Sequence, residues 1–258
     1  MELRELGQTG LRVSPIGLGT TKLGRNQQVK YPSAFELPSD EAVMALLASA
    51  RKCGINLIDT APAYGKSEQR LGELLSDKSD WVIATKVGET FEDGKSSFDF
   101  SPAAVEKSVE RSLARLRIDS LDLVLIHSDG HDEEILSHSG AVEALRALRD
   151  AGMIRAFGAS TKTVAGGLIA TELCDVVMVS YGRGDHSQRP VLEAAARRGV
   201  GVLLKKVLSS GHDSDPAAAL AEALAAPGVT SAVVGTMDVT HLADNCAAVE
   251  RTLQPGPD

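Results

Sequence analysis

Four ionisable residues, Asp59, Tyr64, Lys86 and His127, stand at or just beyond the ends of short apolar runs. In INLIDTAPAYGKSEQRLGELL, residues 55 to 75, four strand-like residues lead into Asp59, and Tyr64 follows five positions later. WVIATK ends on Lys86 and LDLVLIH ends on His127. A carboxylate and an ammonium brought into one partly buried site satisfy each other, and the pair can depress the pKa of an adjacent phenol. Tyr64 would then be a proton donor usable near neutral pH. Taken singly, each residue has a plain structural use, the acid as a helix cap, the lysine as a solvated rim charge and the histidine as a satisfied polar group. Their convergence on one surface would give them a joint use in acid–base chemistry.

Convergence depends on the elements that carry them. Apolar runs of four to six residues alternate with amphipathic segments of ten to sixteen, punctuated by Gly, Ser and Asp. After a small hairpin over Leu3 to Val13, turning at Gly7 to Gly10, strands are predicted near Ile16–Gly19, Ile55–Ile58, Trp81–Lys86 and Leu121–His127. Four more are predicted near Arg155–Ala159, Val176–Val179, Gly201–Leu204 and Ala232–Gly235. Ser39 caps a helix that begins with Asp40 and Glu41 and ends with Arg51 and Lys52. Ser101 and Pro102 open another, with Val105, Val109, Leu113 and Leu116 as its apolar stripe, and a last helix lines up Leu242, Cys246, Val249 and Leu253.

Eight strand and helix units in 258 residues have the count and size of a closed (β/α)8 barrel, a TIM barrel preceded by a short β-hairpin, with residues 1–258 forming one domain. A doubly wound open sheet is the alternative, but Gly17, Gly19 and Gly24 in GLGTTKLG miss the G-x-G-x-x-G spacing of a dinucleotide fingerprint. The C-terminal ends of barrel strands form the active face, so Asp59, Tyr64, Lys86 and His127 meet at one mouth. Gln27 to Pro38 and Glu89 to Phe100 are the longest loops that could cover it.

Composition narrows the partners. The formal net charge of −8, with no Lys/Arg run longer than two, gives no basic face for nucleic acid or an anionic membrane. The charged N-terminus MELRELGQTG lacks the apolar core of a signal peptide, and no run approaches about eighteen apolar residues, which places the protein in the cytoplasm. Cys53, Cys174 and Cys246 are odd in number and widely spaced, as reduced buried thiols would be. A small-molecule partner is expected.

Across nearly the whole chain, in order, LRELGQTGLRVSPIGLGT, GINLIDTAPAYGKSEQRLGELL, ATKVG, LDLVLIH, GMIRAFGAS (152 to 160) and VGTMDVTHLADN resemble the aldo-keto reductase family. The resemblance implies a (β/α)8 barrel that reduces aldehydes and ketones with NAD(P)H through an Asp, Tyr, Lys and His tetrad. It makes Tyr64 the general acid toward the carbonyl oxygen, has Lys86 and Asp59 lower its pKa, and has His127 orient the carbonyl. For the cofactor it implies Asp59 as a further contact, Thr20 and Thr21 near the nicotinamide ribose, Ser160 near the carboxamide and Tyr181 stacked on the ring. Toward the adenosine it implies Lys206, Leu208, Ser210, Gly235, Thr236, Met237, Asp238, His241 and Asn245, with a helix start near Thr240 suited to a phosphate.

Several positions depart from the family pattern. Thr161 stands where Asn is common and Met178 where a Gln usually contacts the carboxamide, while His241 and Met237 stand where others carry Arg or Ser for a 2′-phosphate. NADP(H) is the favoured cofactor and NAD(H) the alternative. Two other functions compete: a redox-sensing regulatory protein that binds nucleotide with little turnover, and a metal-dependent barrel hydrolase using His127, Asp129, His131, Asp132 and His138. The second lacks the usual partner ligands on the other strands, and no metal is expected.

Overall fold

A computed structural model describes residues 1–253 except Lys30 and Pro32, without the side chain of Ser210. In chain order, β1 (Arg4–Glu5) and β2 (Arg12–Val13) form an antiparallel hairpin, followed by β3 (Ile16–Gly19), β4 (Leu57–Asp59) and β5 (Val82–Val87). A second hairpin, β6 (Glu89–Glu92) and β7 (Lys95–Phe98), precedes β8 (Leu121–His127), β9 (Ile154–Ser160), β10 (Val176–Ser180), β11 (Gly201–Lys205) and β12 (Val229–Val234). The strands outside the two hairpins close into a parallel barrel in the order β3, β4, β5, β8, β9, β10, β11, β12, and β12 returns to β3 through Ala232 opposite Ile16. Helices lie between consecutive barrel strands, as parallel pairing requires of its crossovers.

The pleat decides which side chains enter the barrel, because neighbours along a strand point to opposite faces. Leu57, Ala84, Leu125, Ala156, Met178 and Leu203 fill the interior, together with Leu6, Leu11 and Val13 from the first hairpin. That hairpin is therefore a plug at the barrel's N-terminal end. Ile58, Ile83, Val124, Phe157, Val177 and Leu204 face the helices in the larger outer core.

Ser39 caps the helix Asp40–Lys52 by accepting from the Ala42 amide, and Ser101 does the same for Ala104 at the head of Pro102–Leu116. Val105, Val109 and Leu116 are fully buried on the predicted stripe, each contributing about 1.5–3 kcal/mol of burial. In the final helix, Val239–Leu253, residues Leu242, Cys246 and Val249 are buried, but Leu253 is 37% exposed at the last described residue. All three cysteines are free, Cys174 and Cys246 buried and Cys53 partly so.

Several strand boundaries differ from the sequence reading, β9, β10 and β11 each running one residue further at their C-terminal ends. Ile55 belongs to the turn into β4, since its N–H donates to the Ala50 carbonyl at 2.9 Å. Trp81 closes the turn 78–80 instead of opening β5, and β12 begins at Val229 and ends one residue before Gly235. The stretch expected as a loop from Glu89 is a hairpin because Asp93 and Gly94 both take positive φ, the two-residue turn that matches strand twist.

Candidate active site

Alternation along the strands carries Asp59, Lys86, His127, Ser160 and Lys205 inward, each an even number of residues beyond an interior apolar residue of its own strand. Tyr64 comes from the turn Pro62–Tyr64, clamped against the short helix Thr21–Gly24 that follows β3. A Cβ on Gly24 would lie 2.3 Å from the Tyr64 carbonyl, and one on Gly65, at φ +59°, would lie 2.2 Å from the Gly24 carbonyl. The two backbones therefore meet at a distance only glycine permits, and that contact fixes the root of the phenol.

Lys86 Nζ donates to Asp59 Oδ1 at 2.6 Å and to the Thr60 carbonyl at 2.9 Å, and lies 4.7 Å from the Tyr64 ring centre. The His127 ring stands edge-on to Tyr64 with centres 6.2 Å apart. Thr20 holds the Asp59 backbone, its hydroxyl donating to the Asp59 carbonyl at 2.9 Å while accepting from Ser67 at 2.8 Å.

Charge follows burial. Enclosure pushes the Tyr64 phenol above its ordinary value, and the Lys86 ammonium pulls it back only in part because Asp59 opposes it. The lowering expected from the pair is thus outweighed, and the phenol stays protonated. Burial opposes the charge on Lys86, but Asp59 and Tyr64 outweigh it and raise the ammonium above the usual lysine range. Burial lowers His127, with Glu89 acting against it. His127 Nδ1 lies 2.9 Å from Glu89 Oε2, a close contact that is not aligned as a hydrogen bond. Burial would raise the Glu89 carboxyl, but His127, Ser96 and Arg25 hold it down at about 2.

Asp59, Tyr64, Lys86 and His127 line a cavity of about 560 Å³ at the barrel mouth. Of the residues implied for a cofactor, Thr21, Asp59, Ser160, Thr161, Met178, Lys206, Leu208 and Gly235 line it. Thr20 lies behind it, and Tyr181 is buried with its ring stacked on His186 at 5.1 Å. Thr236, Met237, Asp238, His241 and Asn245 lie beyond its wall, and the side chain of Ser210 is outside the described residues. Asp238 takes the helix-start amides of Thr240 and His241 at 2.7 and 3.2 Å, so a phosphate there would compete with the chain's own carboxylate. Of the side chains weighed as metal ligands, Asp132 accepts from the Lys162 and Thr163 amides and the Thr163 hydroxyl, and the His131 Nδ1 lies 3.1 Å from Asp129 Oδ1.

A cavity bounded by a buried Asp–Lys pair, an enclosed phenol and an imidazole, at the C-terminal end of a parallel barrel, can be set beside known proteins. Residues 15–212 match the model of the aldo/keto reductase family. The chain belongs to that family. As an aldo-keto reductase it is 49% identical to a proposed aldo-keto reductase from Pseudomonas aeruginosa, whose crystal structure superposes with a TM-score of 0.91 over 98% of this chain and 96% of that one. It is 30% identical to the L-galactose dehydrogenase of Arabidopsis thaliana over 100% of this chain and 91% of that protein. The NADH-specific methylglyoxal reductase of Escherichia coli (strain K12) is 32% identical over 60% of this chain and 50% of its own length. This aldo-keto reductase is an oxidoreductase of a family that uses nicotinamide cofactors on small-molecule carbonyls. Among its described residues no helix is long and apolar enough to cross a membrane.

Sequence reasoning missed Glu89 and Lys205. Glu89 falls in a stretch that reads as a loop, where Asp93-Gly94 is the signal for a hairpin turn. Lys205 lies one residue beyond the predicted strand end at Leu204, yet counting two residues on from the interior Leu203 reaches it.

Proposed function

We propose that this aldo-keto reductase is an NAD(P)H-dependent carbonyl reductase in which Tyr64 protonates the carbonyl oxygen. The observation that carries the reading is the Lys86 ammonium, bonded to Asp59 at 2.6 Å and lying under the Tyr64 ring beside His127. An enclosed phenol with a pKa above its ordinary value enters the reaction protonated, as a donor must. Lys86 stabilises the phenolate left after the proton departs, and Asp59 keeps that lysine charged. His127, lowered by burial and so neutral near pH 7, points the carbonyl oxygen toward Tyr64.

The residues present suit a nicotinamide dinucleotide. The Thr161 hydroxyl is buried without a partner, and Ser160 accepts from Lys205, which leaves its own proton to give to a ligand. Ser160 and Thr161 would take the carboxamide, and Lys206, Leu208 and Gly235 the dinucleotide. When bound, the nicotinamide supplies the hydride, which no side chain can. NADP(H) is favoured over NAD(H), with His241 facing the 2′-phosphate. Residues 1–258 work as one domain in the cytoplasm, on a small carbonyl compound and without nucleic acid or membrane.

The test joins cofactor titration to Tyr64→Phe. Micromolar binding of NADPH or NADH by both proteins, with reduction of a carbonyl panel slowed about 10²–10⁴-fold in the variant, supports the reading. Activity retained in Tyr64→Phe would overturn the assignment of the acid.

A further inference from the structure

Lys205 is a lysine without an acid. It ends β11, two residues beyond the interior Leu203, and so enters the barrel beside the reactive groups. Its Nζ donates to Ser160 Oγ at 2.7 Å and to the Thr161 carbonyl at 2.8 Å, and part of its surface stays open to the cavity. Among the described residues no carboxylate pairs with it. Asp59 is bonded to Lys86, and Asp132 Oδ2 is shared by the Lys162 and Thr163 amides and the Thr163 hydroxyl. The charged groups around it are Lys206 on its own segment, Lys86 on β5, Lys162 after β9 and Asp132 on the helix Asp132–His138, and it in turn depresses His127 on β8. Burial, then Lys206 and Lys86, push its ammonium down to about 7.

Two consequences follow from hydrogen-bond direction and charge. Because Lys205 occupies the Ser160 oxygen as a donor, the Ser160 proton must point elsewhere, and the adjacent Thr161 hydroxyl is buried with no partner. An ammonium with three donors and only two protein acceptors also has one donor left over. We propose that Lys205 is a positioning residue for the nicotinamide, aligning Ser160 and Thr161 on the carboxamide, and that its charge lets the site distinguish the neutral reduced ring from the cationic oxidised ring. The inference rests on the proposed cofactor reading. It reaches past the amide-bearing side chains absent at 161 and 178, because a lysine, unlike an amide, can carry charge.

The oxidised ring bears a positive charge that the reduced ring lacks, while the phosphates are the same in both. The ratio of the two affinities therefore isolates the ring. With Lys205 protonated, two cations oppose each other and the oxidised form is disfavoured; with Lys205 neutral, the opposition ends. The site then retains reduced cofactor more selectively at lower pH.

Calorimetric titration of the whole protein with NADPH, NADP⁺, NADH, NAD⁺ and ADP-ribose, one unit below and one unit above a pH of about 7, tests this. The wild-type ratio of oxidised to reduced dissociation constants is expected to be about fivefold larger on the acid side, as one pKa unit of linkage gives over that interval. In Lys205→Met and Lys205→Gln the ratio becomes flat and reduced cofactor binds more weakly, while ADP-ribose, which has no nicotinamide, binds as in the wild type. A wild-type ratio that does not move, or a variant ratio that moves as before, overturns the proposal. Equal loss of NADPH and ADP-ribose affinity in the variants overturns it too. Absence of any dinucleotide binding by the wild type would instead overturn the cofactor reading on which it stands.

Discussion

The two sides of the barrel mouth treat a buried lysine in opposite ways. On the β4 and β5 side, Lys86 meets Asp59 at 2.6 Å, and its ammonium is raised above the usual lysine range. On the β9 and β11 side, Lys205 meets a hydroxyl and a carbonyl, and its ammonium falls to about 7. Both are held by short hydrogen bonds, so the difference lies in whether a negative charge compensates the cost of leaving water. A compensated lysine is a fixed charge, suited to stabilising a phenolate each time one forms. An uncompensated lysine waits on what enters the cavity and on the pH.

Breaking the compensated side should have the largest effect. Lys86→Met leaves the Asp59 carboxylate buried without its cation, and equilibrium unfolding should show a loss of about 3–5 kcal/mol. A double variant Lys86→Met/Asp59→Asn should recover part of that loss, since no unpaired charge remains. If the single variant is as stable as the wild type, the pair is not compensated as described.

On the other side the sign reverses and the effect depends on pH. The folded pKa of Lys205 lies below its unfolded value of 10.5, so between about 7 and 10.5 the unfolded chain binds more protons. Stability from this group should therefore rise with pH across that window, toward a slope of one proton. Lys205→Met should remove that slope, as chemical denaturation at stepped pH would show. An unchanged slope in the variant would mean that Lys205 is not the group titrating.

Glu89 sharpens the comparison from the acid side. Its carboxyl is depressed from 4.5 to about 2, so it contributes stability above 4.5 that is lost as pH falls through 2. Glu89→Gln should flatten acid unfolding in that interval. It should also extend the neutral form of His127 to lower pH, because Glu89 is the group that raises His127 against burial. An imidazole titration by NMR that stays put would separate Glu89 from His127. The smallest effect is expected at the exposed His241, where Arg should tighten NADPH about fivefold with NADH unchanged. Equal affinities before and after would remove His241 from the 2′-phosphate.

How far the chain could be read depended on whether a feature is local. The barrel was legible because each strand carries its own apolar run and each helix its own stripe, with caps such as Ser39 and Ser101 in place. Asp59, Tyr64, Lys86 and His127 were legible for a similar reason, as polar endings to apolar runs. Glu89 was missed because its role requires a hairpin to fold back over β8, a contact between residues far apart in the chain. Lys205 was missed by one position, and a one-residue shift along a strand reverses the face on which a side chain stands.

Residue order alone determined the alternation of strands and helices and the four polar residues that end or follow three of the strands. It also supplied the glycines, Gly24 and Gly65, at the place where the fold brings two backbones together. What the folded chain decided was charge. Whether burial or a neighbour prevails at Tyr64, Lys86, His127 and Lys205 depends on distances between strands that the sequence does not contain. A phenol expected to be lowered is raised, and of two adjacent lysines the one inside the barrel nears neutrality at pH 7. Electrostatic energy depends on separation and on access to water, and both are fixed only when the barrel closes.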